Sequence, residues 1–413
     1  MCFPILLIDI YTEGSPTGVD RYLESLCLYL KNRIQVIRLV IIAASNRLGV
    51  EVKEETEDLV MVYIPFPELS RSILKHPNQL KEYSRTVTTL LGAYPLNRPR
   101  LIHLQTHLLF PLASLLRDHL PGSKIITHLH NIPWKGYINR DISHFNRLYY
   151  KYCIEGCMDM HLVLISDTER ETYTKSDHII CLTECAREFV GCMYPSSAER
   201  VSIIPNGLSD WTLGFERAYN AKEQLRLIFV GTLSRGKGLD YILEAMSIAQ
   251  ESGVRLAIDV AGTCNDSLKK EIHRRYPELS ISLHGRVERD ELIALYRRAD
   301  IGVIASLQEQ CSYVAIEMCM MGLPIITTAI DGLDEMFEDE VNALKVPVSY
   351  SRIRGLSVDT EYYAKCIVRL ATVPTLRERL GTSARKLYLE RYTANIMGER
   401  TIGLYNKILG DNE

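Results

Sequence analysis

Glu309 and Glu317 stand eight residues apart in the stretch EQCSYVAIEM. The second interrupts an apolar run, YVAIEMCMM, from Tyr313 to Met321. A carboxylate among such neighbours is expensive to bury alone, so it faces either solvent or a ligand that pairs with it. The apolar setting favours the ligand. Upstream, Arg235 and Lys237 lie in GTLSRGKGLDYILEAM, between Gly231 and a helical pattern that starts near Gly238. Backbone amides and two cations at a helix start make an anion site. By themselves these residues are equally compatible with two solvated cations on a loop. Downstream, IDGLDE places Gly332 in a turn and Glu335 at the start of the next helix. Cations and amides stabilise phosphates, and carboxylates accept paired hydrogen bonds from sugar diols. The three turns together suit a diphosphate carrying hydroxyls.

The spacing excludes two common phosphate binders. Neither the Gly-x4-Gly-Lys-Ser/Thr loop nor the Gly-x-Gly-x-x-Gly dinucleotide fingerprint is present. Cys311 and Ser312 fall near a helix start, where backbone amides lack intrahelical acceptors. Gly322 and Pro324 end that helix.

These turns need a scaffold, and the sequence describes one. Strand patterns run over 5–9, 35–42, 59–66, 101–105, 124–130, 178–183 and 201–206. After a polar break at 207–224 they resume over 226–231, 255–262, 280–285, 301–306, 323–329 and 342–347. Helical patterns separate them, at 19–32, 78–94, 238–251, 266–276, 288–299 and 312–321, with a long helical tail from about 359. Strand–helix alternation predicts α/β architecture with doubly wound parallel sheets. Two Rossmann-like domains follow, 1–206 and 225–388, with 207–224 as hinge and 389–413 as a terminal helix. In such sheets ligands sit beyond the carboxyl ends of the strands, here in the cleft where the two domains face each other.

The chain has 413 residues, 46% hydrophobic and 24% charged, which fits a globular protein of two or three domains. A formal net charge of −3 gives no global reason to bind nucleic acid. The eleven cysteines are scattered; Cys153/Cys157 and Cys181/Cys185 have spacings that suit free thiols in a reducing cytosol better than a metal knuckle. MCFPILLIDIYTEG lacks a basic leader region and reads as a first buried strand. No run reaches the roughly eighteen apolar residues of a membrane span.

FVGTLSRGKGLDYILEAM and ASLQEQCSYVAIEMCMMGLPIITTAIDGLDEMFEDEVNALKV together resemble the retaining nucleotide-sugar glycosyltransferases of family 4, with the GT-B fold. Lys237-Gly238, the Glu-x7-Glu pair, Gly322-Leu323-Pro324, and Glu335 with Asn342 carry the likeness. GSPTGVDRY, His130 after KIITHLHN, and IIPNG carry it more loosely in the first half. The resemblance implies that Glu309 contacts the donor sugar and Glu317 the ribose diol. Gln310, Cys311, Ser312 and Tyr313 then offer backbone amides to sugar and phosphate. Lys237 neutralises the diphosphate, Gly18 permits close approach, Gly231 lines the donor site, His130 lies near the reacting carbon, and Val287 meets the base. The terminal helix crosses back to the first domain. No metal or other cofactor is implied.

Two positions depart from the pattern. Thr232 stands where the family has Arg, with Arg235 as the replacement cation, and Ser312 stands where it has Gly. The expected partners are a nucleoside-diphosphate sugar and a saccharide, lipid-carrier or peptide acceptor. Trp134, Lys135 and Arg140 are candidates for meeting that acceptor. The expected location is the cytoplasm or the inner membrane surface. The rival readings are a non-catalytic sugar-nucleotide scaffold and a sugar-nucleotide epimerase of the same architecture. His130 also competes with His103, His107 and His128, and a histidine at a strand end is often only structural.

Overall fold

The structure is a computed structural model, and it describes residues 5–12, 17–34, 36–43, 51–56, 59–66, 82, 84–89, 100–132, 169–212, 214–351 and 355–410. The chain divides into two compact units. Unit 1 takes residues 1–205 and 394–413; unit 2 takes 206–393. Trp134, Lys135 and Arg140 lie outside the described residues.

Unit 1 is built on β1 (Ile5–Thr12), β2 (Val36–Ala43), β3 (Glu51–Thr56), β4 (Leu59–Phe66), β5 (Leu101–Leu104), β6 (Lys124–Leu129), β7 (His178–Cys181) and β8 (Val201–Ile203). Their order across the sheet is β3-β4-β2-β1-β5-β6-β7-β8. All pairs are parallel except β3 with β4. Residues 5–8 of β1 are buried on both faces, as a covered parallel sheet requires. Leu6, Ile8, Ile102 and Leu104 pack with Phe110, Leu112 and Leu116 of helix Phe110–His119. β3 escapes the sequence pattern. EVKEET is too polar to read as a strand, and it forms as an antiparallel edge with one partner only.

The terminal helix Ala394–Leu409 belongs to unit 1 and packs on helix Gly18–Leu30. Gly398 makes that approach possible: a Cβ there would lie 2.1 Å from the Tyr29 ring. The tail is three helices, Thr360–Thr372, Pro374–Arg391 and Ala394–Leu409. Pro374 starts the second, since proline fits a first turn but not a helix interior.

Unit 2 contains β9 (Gln224–Val230), β10 (Arg255–Ala261), β11 (Ser280–Gly285), β12 (Ile301–Ile304), β13 (Ile325–Thr328) and β14 (Leu344–Val346). They form one parallel sheet in the order β11-β10-β9-β12-β13-β14. A small antiparallel hairpin, β15 (Val348–Ser351) with β16 (Gly355–Val358), stands beside it. The chain winds outward from β9 to β11, then returns and winds the other way from β12. The gap between the loops after β9 and β12 is therefore the switch point where such sheets bind ligands.

The described residues of 207–223 contain neither helix nor regular strand and are bound along unit 2. Leu208 donates its N–H to Tyr392 O at 3.0 Å, and Tyr388 Oη donates to Leu208 O at 2.9 Å. Tyr219 Oη donates to Gly322 O at 2.7 Å. The Arg217 guanidinium donates to three carbonyls, those of Tyr296, Ala299 and Met321. Several polar residues of this segment tie down helix ends of unit 2.

Candidate functional site

The loop after β9 runs from Gly231 to Ser234 and tightens into a 3-10 turn at Arg235–Lys237 before helix Leu239–Glu251 begins. Both cations therefore sit just ahead of the helix. Gly238, between the turn and the helix, has φ +73°, and a Cβ there would lie 2.1 Å from the carbonyl oxygen of Ala305. This contact seats the β9 loop against the β12 loop. Leu307 N–H donates to Gly236 O at 2.8 Å and adds a second tie. Gly238→Ala is expected to cost about 2–4 kcal/mol, from left-handed strain plus the backbone clash. Urea unfolding measures it; a loss below about 1 kcal/mol would show that the loops shift freely.

The tie places Lys237 Nζ in an ion pair with Glu309 Oε1. Ser306 Oγ donates to the same carboxylate oxygen at 3.1 Å, and Gly332 N–H donates to the Glu309 carbonyl at 3.0 Å. One carboxylate is thus held by residues from the loops after β9 and β12, and its backbone by the first turn of helix Asp331–Met336, which follows β13. Arg235 is exposed on the 3-10 turn. Thr232, where the family has Arg, is exposed in the same loop.

Helix Tyr313–Met320 starts at the N-cap Ser312, whose Oγ accepts from Ala315 N–H at 3.4 Å. Cys311 and Gln310 are buried in the turn before it. Burial pushes the Cys311 thiol up to about 12, so it is a neutral group at physiological pH. Glu317 has 0% exposure, and its Oε2 accepts from Tyr296 Oη at 2.6 Å. The sequence offers solvent or ligand as its partner; the fold adds a buried tyrosine from helix Arg289–Arg298. Tyr296 escapes sequence reading because its position looks like ordinary core.

Asn206, the asparagine of IIPNG, is a second residue that the sequence gives no role. It is buried, and its Nδ2 donates to Cys311 O at 2.9 Å, fixing the turn that carries the Glu pair. Gly231 donates its N–H to Ala261 O at 2.9 Å, while Val287 is partly exposed in the loop that follows β11. Lys237, Glu309, Gln310, Cys311, Ser312, Tyr313 and Glu317 lie on the two adjoining loops and the helix they lead into, all in unit 2.

Gly18 and His130 lie in unit 1. Gly18 is exposed at the start of helix Gly18–Leu30, next to the capping Thr17. His130 follows β6 and heads a stack of imidazoles. His130 and His128 are 4.0 Å apart at 9°, and His128 and His103 are 5.5 Å apart at 9°. The Tyr22 ring meets all three edge-on, and His103 Nδ1 lies 2.7 Å from Tyr405 Oη on the terminal helix. Among the described residues no three His, Cys, Asp or Glu side chains are grouped to hold a metal.

Burial keeps these rings neutral. It lowers His103 and His130 to about 3 and His107 to about 4, and holds His128 well below its ordinary value. In the unfolded chain each titrates near about 6.5. Between those values the unfolded state binds more protons, so stability falls as pH drops below about 6.5. The expected slope is about 1.4 kcal/mol per pH unit for each histidine. Thermal unfolding from pH 7 to 5 should show unit 1 melting progressively earlier; a flat profile would contradict the buried neutral stack.

The comparisons with known proteins fit this geometry. Sucrose-phosphate synthase from Thermosynechococcus elongatus superposes with a TM-score of 0.71 at 17% identity, covering 99% of this chain and 100% of that one. An Anabaena protein solved with UDP and glucose gives 0.69 at 14% identity, covering 98% and 100%. The fold is therefore GT-B, with two Rossmann-like parallel-sheet units. Residues 16–210 match the profile of Glycosyltransferase Family 4 and residues 215–386 that of Glycosyl transferases group 1. The chain belongs to this glycosyltransferase family. An uncharacterised glycosyltransferase of Methanocaldococcus jannaschii is 26% identical over 243 residues, 56% of this chain and 60% of that one. The chain spans about 60% of the length of the curated relatives it matches. No described helix is long and apolar enough to cross a membrane.

Proposed function

We propose that this chain transfers a glycosyl group from a nucleoside-diphosphate sugar to an acceptor hydroxyl, with retention at the anomeric carbon and without a metal or other cofactor. The observation that carries the proposal is the pairing of Lys237 with Glu309 at the switch point of unit 2. A diphosphate brings more negative charge than one carboxylate, so it competes for Lys237 and frees Glu309 to accept from sugar hydroxyls. Arg235 adds a second cation in place of the one absent at Thr232. The related fold solved with UDP and glucose supports a ligand of this class.

In the reaction the bond from the anomeric carbon to the diphosphate oxygen breaks, and the bond to the acceptor oxygen forms on the same face. The acceptor proton passes to the departing phosphate. Lys237 and Arg235 stabilise the charge that grows on that phosphate. His130 contacts the reacting sugar. Glu317 accepts the ribose diol once its carboxylate is uncovered, with Tyr296 retaining one oxygen. Val287 backbone atoms meet the base. The acceptor is a saccharide, lipid carrier or peptide, and the site of action is the cytoplasm or the inner membrane surface.

Product analysis by NMR, with a panel of nucleotide sugars and simple acceptors, tests this. The expected result is a nucleoside diphosphate and a glycoside of unchanged anomeric configuration. An inverted product would overturn the retaining mechanism. An isomerised sugar nucleotide formed without acceptor would make the chain an epimerase.

A further inference from the structure

Gln105 follows β5 at the switch point of unit 1, between β1 and β5. Its backbone N–H donates to Ile8 O at 3.0 Å, which anchors it to β1. Its side chain is 3% exposed, and its Oε1 lies 2.8 Å from His130 Nε2. The His130 ring is fixed in plane by two neighbours. His128 covers one face at 4.0 Å, and Tyr22 presents its ring at 4.9 Å and 68°.

An amide oxygen can only accept a hydrogen bond, so the ring nitrogen facing it must carry the proton. We propose that Gln105 is a positioning residue for His130, holding the imidazole as the Nε2–H tautomer so that Nδ1 keeps its lone pair. This rests on the role proposed above for His130 toward the reacting sugar. Burial keeps the ring neutral, so it has one donor and one acceptor. The donor is used by Gln105. What remains can accept from a sugar hydroxyl but cannot donate to a phosphate oxygen or to a leaving group. His130 in this form orients a sugar hydroxyl and leaves phosphate charge to other groups.

The stack beneath does not act as a proton relay. Among the described residues neither ring nitrogen of His128 has a hydrogen-bond partner, so no hydrogen-bond chain links His103 to His130 through it. The tautomer is set at Gln105.

Long-range proton–nitrogen correlation spectra of the full chain, with 15N-labelled histidine, test the assignment. His130→Gln identifies the His130 signals. The expected wild-type pattern is a protonated Nε2 and an unprotonated Nδ1 at pH 7. Gln105→Leu should mix the tautomers and lower kcat by on the order of tenfold, with little change in donor KM. Gln105→Glu still accepts, so it should restore the Nε2–H tautomer, and its charge should move the acidic limb of the rate profile upward. An Nδ1–H wild-type pattern would overturn the proposal whether or not the variants fold. So would His130 signals that are unchanged in Gln105→Leu. The predicted tautomer in a protein that turns over no sugar nucleotide would uphold Gln105 and sink the functional proposal instead.

Discussion

Lys237→Ala should lower turnover by about 10²–10³-fold while leaving the protein folded. Lys237 is the cation that the loop ties bring to Glu309, through Gly238 against Ala305 and Leu307 N–H to Gly236 O. A departing diphosphate gains charge as its bond to the sugar breaks. A cation fixed beside it stabilises that state more than the bound substrate, so kcat falls when the cation is removed. The stability cost is small, since the Lys237 side chain is 37% exposed and partly exposed ion pairs contribute little. Ser306 still holds the Glu309 carboxylate in the variant. Lys237→Arg keeps the charge with a different shape and should recover only part of the rate. Steady-state kinetics with the best donor measures both; a Lys237→Ala enzyme within threefold of wild type would remove Lys237 from the mechanism.

Arg217→Ala should destabilise unit 2 by about 3–4 kcal/mol, the largest effect expected outside the reacting groups. Arg217 lies in the polar segment that looks like a hinge in the sequence. Its guanidinium reaches the carbonyls of Tyr296 and Ala299 at the end of helix Arg289–Arg298. It also reaches Met321 O at the end of helix Tyr313–Met320, at 2.9 Å. A cation at two helix C-termini satisfies orphan carbonyls and opposes both dipoles. Burial lowers its pKa to about 10, still far above neutrality. Lysine lacks the fork and should rescue little. The two helices also carry Tyr296 and Glu317, so nucleotide affinity should fall along with stability. Urea unfolding gives the stability change; less than about 1 kcal/mol would show that the three carbonyls find other donors.

The sheets were legible because strands buried on both faces read as continuous apolar runs, as ILLID and RLAIDVAG do. The edge strand EVKEET and the hairpin β15–β16 were not, since each of these strands pairs on one side only. Turn chemistry after β9 and β12 could be read from Gly, Lys and Glu spacing, because glycine at a close approach and charge beside it leave a compositional mark. Partners across the sequence could not. That Lys237 pairs with Glu309, that Tyr296 meets Glu317, and that Asn206 holds Cys311 O all depend on which loops the sheet order makes neighbours. The ties made by residues 207–224 were hidden for a related reason. Polar residues suit a mobile linker and also suit capping helix ends, and composition does not separate the two.

Calorimetric titration with UDP, GDP and ADP, each beside its nucleoside and monophosphate, tests the diphosphate site most directly. At least one diphosphate should bind more tightly than its monophosphate in the wild-type protein, and Lys237→Ala should erase that difference. If no diphosphate is preferred, or if the preference survives in Lys237→Ala, the switch point of unit 2 does not hold a diphosphate through Lys237.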